Sequence, residues 1–135
     1  MSYTSETIFK NKIINGVLDL LMRKLDDFSK SADPAITLAD EFCLTGRAAA
    51  ILQGEPDTPV DNVIFITSSA VVMEWLKTNL ATFLKAQQIV KFKTKILIYY
   101  PQTYIEIHYT ASALNIVDAD TLRVQNKTDI PSEFL

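Results

Sequence analysis

Cysteine, glycine and net positive charge are scarce or absent in this 135-residue chain. The single cysteine, Cys43, excludes a disulfide or a cysteine-based zinc site within one chain. Three glycines argue against glycine-rich phosphate loops. The formal net charge of −3 argues against a general nucleic-acid binder, which needs a basic face. The local basic strip of Lys85, Lys91, Lys93 and Lys95 is expected to be the solvated end of a helix.

Long hydrophobic runs are also missing. No uncharged apolar run approaches the ~20 residues that span a bilayer, and the N-terminus lacks the pattern of a signal peptide. We therefore expect a soluble cytoplasmic protein without a membrane partner. Apolar residues at 48% and charged residues at 21% predict a folded chain, and the length predicts one domain, residues 1–135.

Hydrophobic periodicity predicts an α/β (α+β) protein with a small mixed β-sheet flanked by helices. An N-terminal helix is expected within residues 1–32, a core within 41–109 and a tail within 110–135. The predicted elements are a helix from Ser5 to about Ser29, a strand at Glu41–Thr45, a helix at Arg47–Gln53, a strand at Asn62–Thr67, a helix from Ser68 or Ser69 to about Val90, strands at Lys95–Tyr100 and Tyr104–Tyr109, and an edge strand at Leu122–Val124.

The segment from Leu44 to Ile66 carries a family resemblance. It reads Leu44-Thr45-Gly46-Arg47, then a helix, a Gly/Pro turn, and an apolar strand that Asp61 precedes. This order resembles the nucleotidyltransferase core, in which a strand ends in Gly-Gly or Gly-Ser, a helix follows, and the next strand carries an Asp-x-Asp pair. The second carboxylate of that pair would fall on Val63, so the motif is degenerate.

The resemblance implies a metal site if the chain is active. Carboxylates on neighbouring strands would hold Mg²⁺ against a nucleoside triphosphate, with Asp61 as the first ligand and Glu106 as a later one. His108 shares a strand face with Glu106 by the period of two, so Asp61, Glu106 and His108 are the candidate metal ligands. Gly46 and Arg47 are the candidate nucleotide- or anion-binding residues at the helix start.

Structural alternatives stand beside each of these assignments. The favoured alternative is that Asp61 is a loop residue before a strand, and that Glu106 and His108 form the solvent face of a half-buried strand. Arg47 could pair with Asp61 or Glu55 rather than hold an anion. Four tyrosines crowd the predicted hairpin and favour core packing or a protein interface over base stacking: Tyr99, Tyr100, Tyr104 and Tyr109.

Three functions follow from the sequence. The favoured one is a nucleotidyltransferase-like domain without nucleotidyl transfer, hence no catalytic residue and no cofactor, which keeps nucleotide or anion binding or a protein-interaction role. The second is an active Mg²⁺-dependent nucleotidyltransferase that uses Asp61, Glu106 and a relocated carboxylate such as Asp57. The third is a small α/β interaction module that forms a homodimer through its amphipathic N-terminal helix.

Overall fold

The structure, a computed structural model, describes residues 42–54, 62–83, 88–100, 103–119 and 122–135, together with Arg23, Asp27 and Lys30. Those three isolated residues are helical and exposed. The rest of the predicted N-terminal helix, including its expected start at Ser5, lies outside the described residues.

The described ranges contain two α-helices and seven strands. Helix α1 spans Gly46–Leu52 and helix α2 spans Ala70–Phe83. The strands are β1 Phe42–Thr45, β2 Asn62–Thr67, β3 Gln88–Lys91, β4 Lys95–Tyr100, β5 Thr103–Tyr109, β6 Ile116–Ala119 and β7 Leu122–Gln125. Two short 3-10 turns follow at Lys127–Asp129 and Ser132–Phe134.

The seven strands form one mixed sheet in the order β3-β4-β5-β2-β1-β7-β6. Strand β2 pairs in parallel with β5 and antiparallel with β1, and β1 pairs in parallel with β7. The remaining pairs are antiparallel. The prediction of an α/β protein with a mixed sheet and flanking helices is therefore confirmed.

One face of the sheet packs against the helices. Apolar residues alternate along the strands, so every second side chain enters a single buried cluster with the inward residues of α1 and α2. The residues that the sheet contributes to this cluster are Phe42, Leu44, Val63, Phe65, Ile96, Ile98, Ile105, Ile107 and Val124. The helices contribute Ala48, Ala49, Ala50, Val72, Met73, Leu76 and Leu80. We call this side the helix face.

The opposite side carries the intervening residues. Register places Thr45 beside Ile64, and Ile64 beside Glu106, across β1, β2 and β5. His108 follows two residues after Glu106 and lies beside Ile66. We call this side the polar face, because Thr45, Glu106 and His108 all lie on it.

Ser69, one of the two predicted caps, immediately precedes helix α2 and caps its N-terminus. Its Oγ accepts a hydrogen bond from the backbone N–H of Val72 at 3.2 Å, and its own N–H donates to Thr67 Oγ1 at 3.1 Å. A serine hydroxyl in this position satisfies a backbone donor that has no partner within the helix.

The predictions for the end of helix α2 and for the lysines after it are wrong. The helix after Ser69 ends at Phe83 rather than near Val90, and the residues from Gln88 onward form β3. Lys91, Lys93 and Lys95 therefore belong to a β-hairpin and not to a helix end, and Lys85 lies outside the described residues.

The predicted tail is part of the same sheet. The predicted strand at Leu122–Val124 is confirmed as β7, but its predicted edge position is wrong, because β7 lies between β1 and β6 and β6 forms that edge. Within the described ranges, no helix is both long and apolar enough to cross a membrane.

Candidate functional site

The strand-to-helix turn centres on Gly46. Its φ of +74° lies in the left-handed region, where glycine carries no steric penalty. A Cβ atom added at Gly46 would lie 3.1 Å from the carbonyl oxygen of Phe134 and 3.4 Å from Cδ1 of Ile64. The last 3-10 turn of the chain therefore packs directly on the glycine that the sequence identified.

The Thr45 hydroxyl at the start of α1 bonds away from the helix. Thr45 is the N-cap of this seven-residue helix, but its side chain makes no capping bond. Instead the Thr45 hydroxyl donates to Oε1 of Gln125 at 2.6 Å. Arg47 is exposed on the surface. Its proposed alternative partners, Asp61 and Glu55, lie outside the described residues.

Two glutamines fasten the C-terminal segment to this turn. Gln125 Nε2 donates to the carbonyl oxygen of Asp129 at 3.2 Å. Gln53, just after α1, donates from Nε2 to the carbonyl oxygen of Gln125 at 2.7 Å and accepts from the Lys127 N–H at 2.9 Å through Oε1. The segment that carries Phe134 is thus tied to both β1 and α1.

Glu106 and His108 form a bonded pair on the polar face. His108 Nε2 lies 3.0 Å from Glu106 Oε1, and the two side chains are 20% and 18% exposed, respectively. The His108 ring also packs against the ring of Phe134, with centroids 4.7 Å apart. The pair is therefore held between the sheet and the C-terminal turn, and is less solvated than the predicted solvent face of a strand.

Val63 and Glu106 lie on opposite faces of the sheet. Val63 pairs with Ile105, is 1% exposed and belongs to the cluster on the helix face. Glu106 pairs with Ile64 on the polar face. A carboxylate at position 63 would not converge with Glu106, because a shift of one residue reverses the face that a side chain occupies.

The full set of predicted metal ligands is only partly described. Asp57 and Asp61 lie outside the described residues, so their distance to Glu106 and His108 stays a prediction. Among the residues that the structure describes, no group of three or more His, Cys, Asp or Glu side chains could hold a metal ion.

Cys43 is buried, whereas Tyr99, Tyr100 and Tyr109 of the hairpin are partly buried and Tyr104 is exposed. Burial raises the pKa of the Cys43 thiol from 9.0 to about 12, and the nearby charge of Arg123 opposes the shift. A thiol with this pKa is protonated at neutral pH and is a poor nucleophile. Tyr99 and Tyr104 pack against each other with ring centroids 6.2 Å apart, and burial raises the pKa of Tyr100.

Sequence reasoning did not identify Gln53, Gln125 and Phe134 as part of the site. Gln53 and Gln125 bond across 72 positions of sequence, and Phe134 reaches Gly46 from the end of the chain. A local sequence pattern relates residues that are close in sequence, so it carries no signal for such contacts. Gln125 is a buried polar residue in a strand. Burial predicts only that such a residue has a hydrogen-bond partner, and does not say which.

Comparison with known proteins yields one structural likeness. The sequence matches no protein-family model and no curated protein. The structure is similar to the crystal structure of a presumed nucleotidyltransferase from Thermotoga maritima, with a TM-score of 0.43 and 12% sequence identity. The likeness covers 82% of this chain and 78% of that one.

Proposed function

We propose that this chain is a nucleotidyltransferase-like domain that does not transfer nucleotides and that acts by binding. The observation that carries this proposal is the neighbour of Glu106 on β2. That neighbour is Ile64, an apolar side chain that is 8% exposed.

A two-metal mechanism requires carboxylates that converge on shared cations. Magnesium prefers oxygen ligands at about 2.0–2.1 Å, and an alkyl side chain supplies none. The residue of β2 that pairs directly with Glu106 is Ile64, and the Glu106 carboxylate bonds to His108. This part of the polar face therefore suits a folded scaffold better than a cation clamp.

The C-terminal turn gives independent support. In the nucleotidyltransferase core that the sequence resembles, the glycine turn leaves room for phosphates to approach the backbone. Here the carbonyl oxygen of Phe134 lies against Gly46, and the Gln53 and Gln125 bonds hold the segment in place. A triphosphate would have to displace this segment to reach the turn.

The active enzyme remains the second candidate, because one observation favours it. Glu106 lies on β5, which pairs in parallel with β2, and this is where the resemblance expects a carboxylate from a neighbouring strand. In that case Asp61 and Glu106 would hold Mg²⁺, with Asp57 as a further ligand. The homodimeric module also stays a prediction, and the solution mass at high protein concentration tests it.

Thermal-shift measurements with ATP, GTP, CTP and UTP, each with and without Mg²⁺, separate these functions. A ligand that binds the native state raises the melting temperature by mass action. We expect no Mg²⁺-dependent shift with any nucleotide. A shift that needs Mg²⁺ and disappears in Glu106→Gln would contradict the proposal and support the enzyme. A shift without Mg²⁺ would identify the nucleotide as the bound anion.

A further inference from the structure

Charge is distributed unevenly along this acidic chain. From Trp75 to Ile105 there are five lysines and no aspartate or glutamate, although the whole chain carries a net charge of −3. Three of these lysines, Lys91, Lys93 and Lys95, are concentrated at the β3–β4 turn. The remainder of the chain is correspondingly acidic, so the lysines are concentrated in one stretch of the sequence.

The tip of the β3–β4 hairpin, Lys91–Lys95, has a fixed backbone. The N–H of Phe92 donates to the carbonyl oxygen of Lys95 at 2.8 Å, which closes the turn. The carbonyl oxygen of Thr94 accepts from the Tyr109 N–H at 2.9 Å, which ties the tip to the end of β5. A surface that is already ordered loses less conformational entropy when it binds a partner.

Helix α2 contributes a further cation to the hairpin tip. Lys77 Nζ donates to the carbonyl oxygen of Lys93 at 2.9 Å. Lys77 also lies 3.5 Å from the carboxylate of Glu74, which is the acidic residue immediately before the lysine-rich stretch. Its charge is therefore partly offset, while Lys91 and Lys93 are exposed.

An aromatic ring lies exposed among these lysines. Phe92 is 45% exposed, and Lys95 Nζ lies 5.2 Å from the centroid of its ring. Burial of this exposed ring against a partner would remove apolar area from water, which is favourable. Next to several lysines, the ring can stack on a base while the ammonium groups contact phosphates.

From this combination we infer that the hairpin tip binds single-stranded nucleic acid without sequence preference. Stacking on Phe92 requires an unpaired base, which a duplex does not present. Lysines act on phosphates as point charges and carry no base-specific readout. The surface is separate from the Gly46 turn, so the inference does not depend on whether the domain transfers nucleotides.

Fluorescence anisotropy with a labelled 15-nucleotide oligo(U), at a series of salt concentrations, tests this inference. Neutralising about three lysine contacts predicts a slope of log K against log salt of roughly −2, from about −0.7 per phosphate contact on a single strand. Lys93→Gln should reduce the steepness of the slope by about 0.7. Lys30→Gln, an exposed lysine outside the stretch, is the matched control and should leave binding unchanged.

Phe92 variants separate stacking from simple apolar contact. Phe92→Ala and Phe92→Leu should each weaken oligo(U) binding about tenfold at constant salt slope, because both remove the ring and leucine keeps apolar area. Absence of salt-dependent oligo(U) binding would overturn the inference. Equal binding of a duplex, with both Phe92 variants unaffected, would also overturn it.

Anionic lipid is the competing partner for lysines around an apolar side chain. Vesicles of phosphatidylserine and phosphatidylcholine provide that arm of the experiment. Vesicle binding that Phe92→Leu retains, without oligo(U) binding, would replace the nucleic-acid inference by a membrane surface. Oligo(U) binding without vesicle binding would support it.

Discussion

At Gly46 the backbone adopts a left-handed conformation that residues with a side chain disfavour. A side chain there would also crowd the neighbouring backbone. The φ of +74° explains why glycine occupies this position, and the carbonyl oxygen of Phe134 is the atom that an added Cβ would approach most closely. Gly54 has a φ of +103°, yet an added Cβ would meet no atom within 4 Å. The two glycines therefore form a natural pair for separating backbone strain from crowding.

Replacement of each glycine by alanine should reveal this difference. Gly54→Ala is expected to cost of order 1–3 kcal/mol, since only the unfavourable φ is involved. Gly46→Ala should cost about 1–3 kcal/mol more than Gly54→Ala, because the new methyl group also crowds the carbonyl oxygen of Phe134. Urea unfolding of both variants measures the two free energies. Equal losses would show that the C-terminal turn does not pack on Gly46 as described.

Individual residues differ in how well the sequence predicted them. Gly46 was identifiable, because a strand followed directly by a glycine and an alanine-rich helix is a local pattern. The face of Val63 was not, because the family pattern fixes spacing while the face depends on the register with β5. Val63 therefore lies on the helix face, and Ile64 is the residue of β2 that pairs with Glu106.

Among the elements, strands within apolar runs were predicted, including the four-residue β1, whereas β3 was missed. Strand β2 is buried from Val63 to Ile66 and spans Asn62–Thr67 as predicted. Strand β3 has only four residues and follows a helix whose apolar spacing continues beyond Phe83. Its stability comes from pairing with β4, which a local pattern does not contain.

The C-terminal elements depend on side-chain hydrogen bonds, and Gln53 makes several of them. Gln53→Ala removes the bonds to the carbonyl oxygens of Gln125 and Ala49 and the acceptor for the Lys127 N–H. We expect a loss of about 1–3 kcal/mol, because two partly buried backbone carbonyls and an amide lose their partner. Chemical denaturation measures this loss, and amide hydrogen exchange across residues 126–135 should accelerate.

Gln88→Ala is the matched control for Gln53→Ala. Gln88 is an exposed glutamine on strand β3 at the far side of the sheet, so its truncation should change stability by less than about 0.5 kcal/mol. If the two variants proved equally stable, the hydrogen bonds of Gln53 would not be what holds the C-terminal segment.

For the whole molecule, the sequence predicted the class and most of the element order but not the sheet. Parallel pairing of β2 with β5 and of β1 with β7 joins segments that are far apart in sequence. The same long-range pairing brings the predicted tail against the candidate site. As a result, the polar face holds Ile64 and Phe134 beside the Glu106–His108 pair.

Release of pyrophosphate from nucleoside triphosphates with Mg²⁺ is the most direct measurement of the central claim. The full chain would be assayed with each of the four nucleotides, beside Glu106→Gln and Asp61→Asn. We predict no release above the level of the two variants. Mg²⁺-dependent release by the wild-type chain that both substitutions abolish would contradict the account and establish an active nucleotidyltransferase.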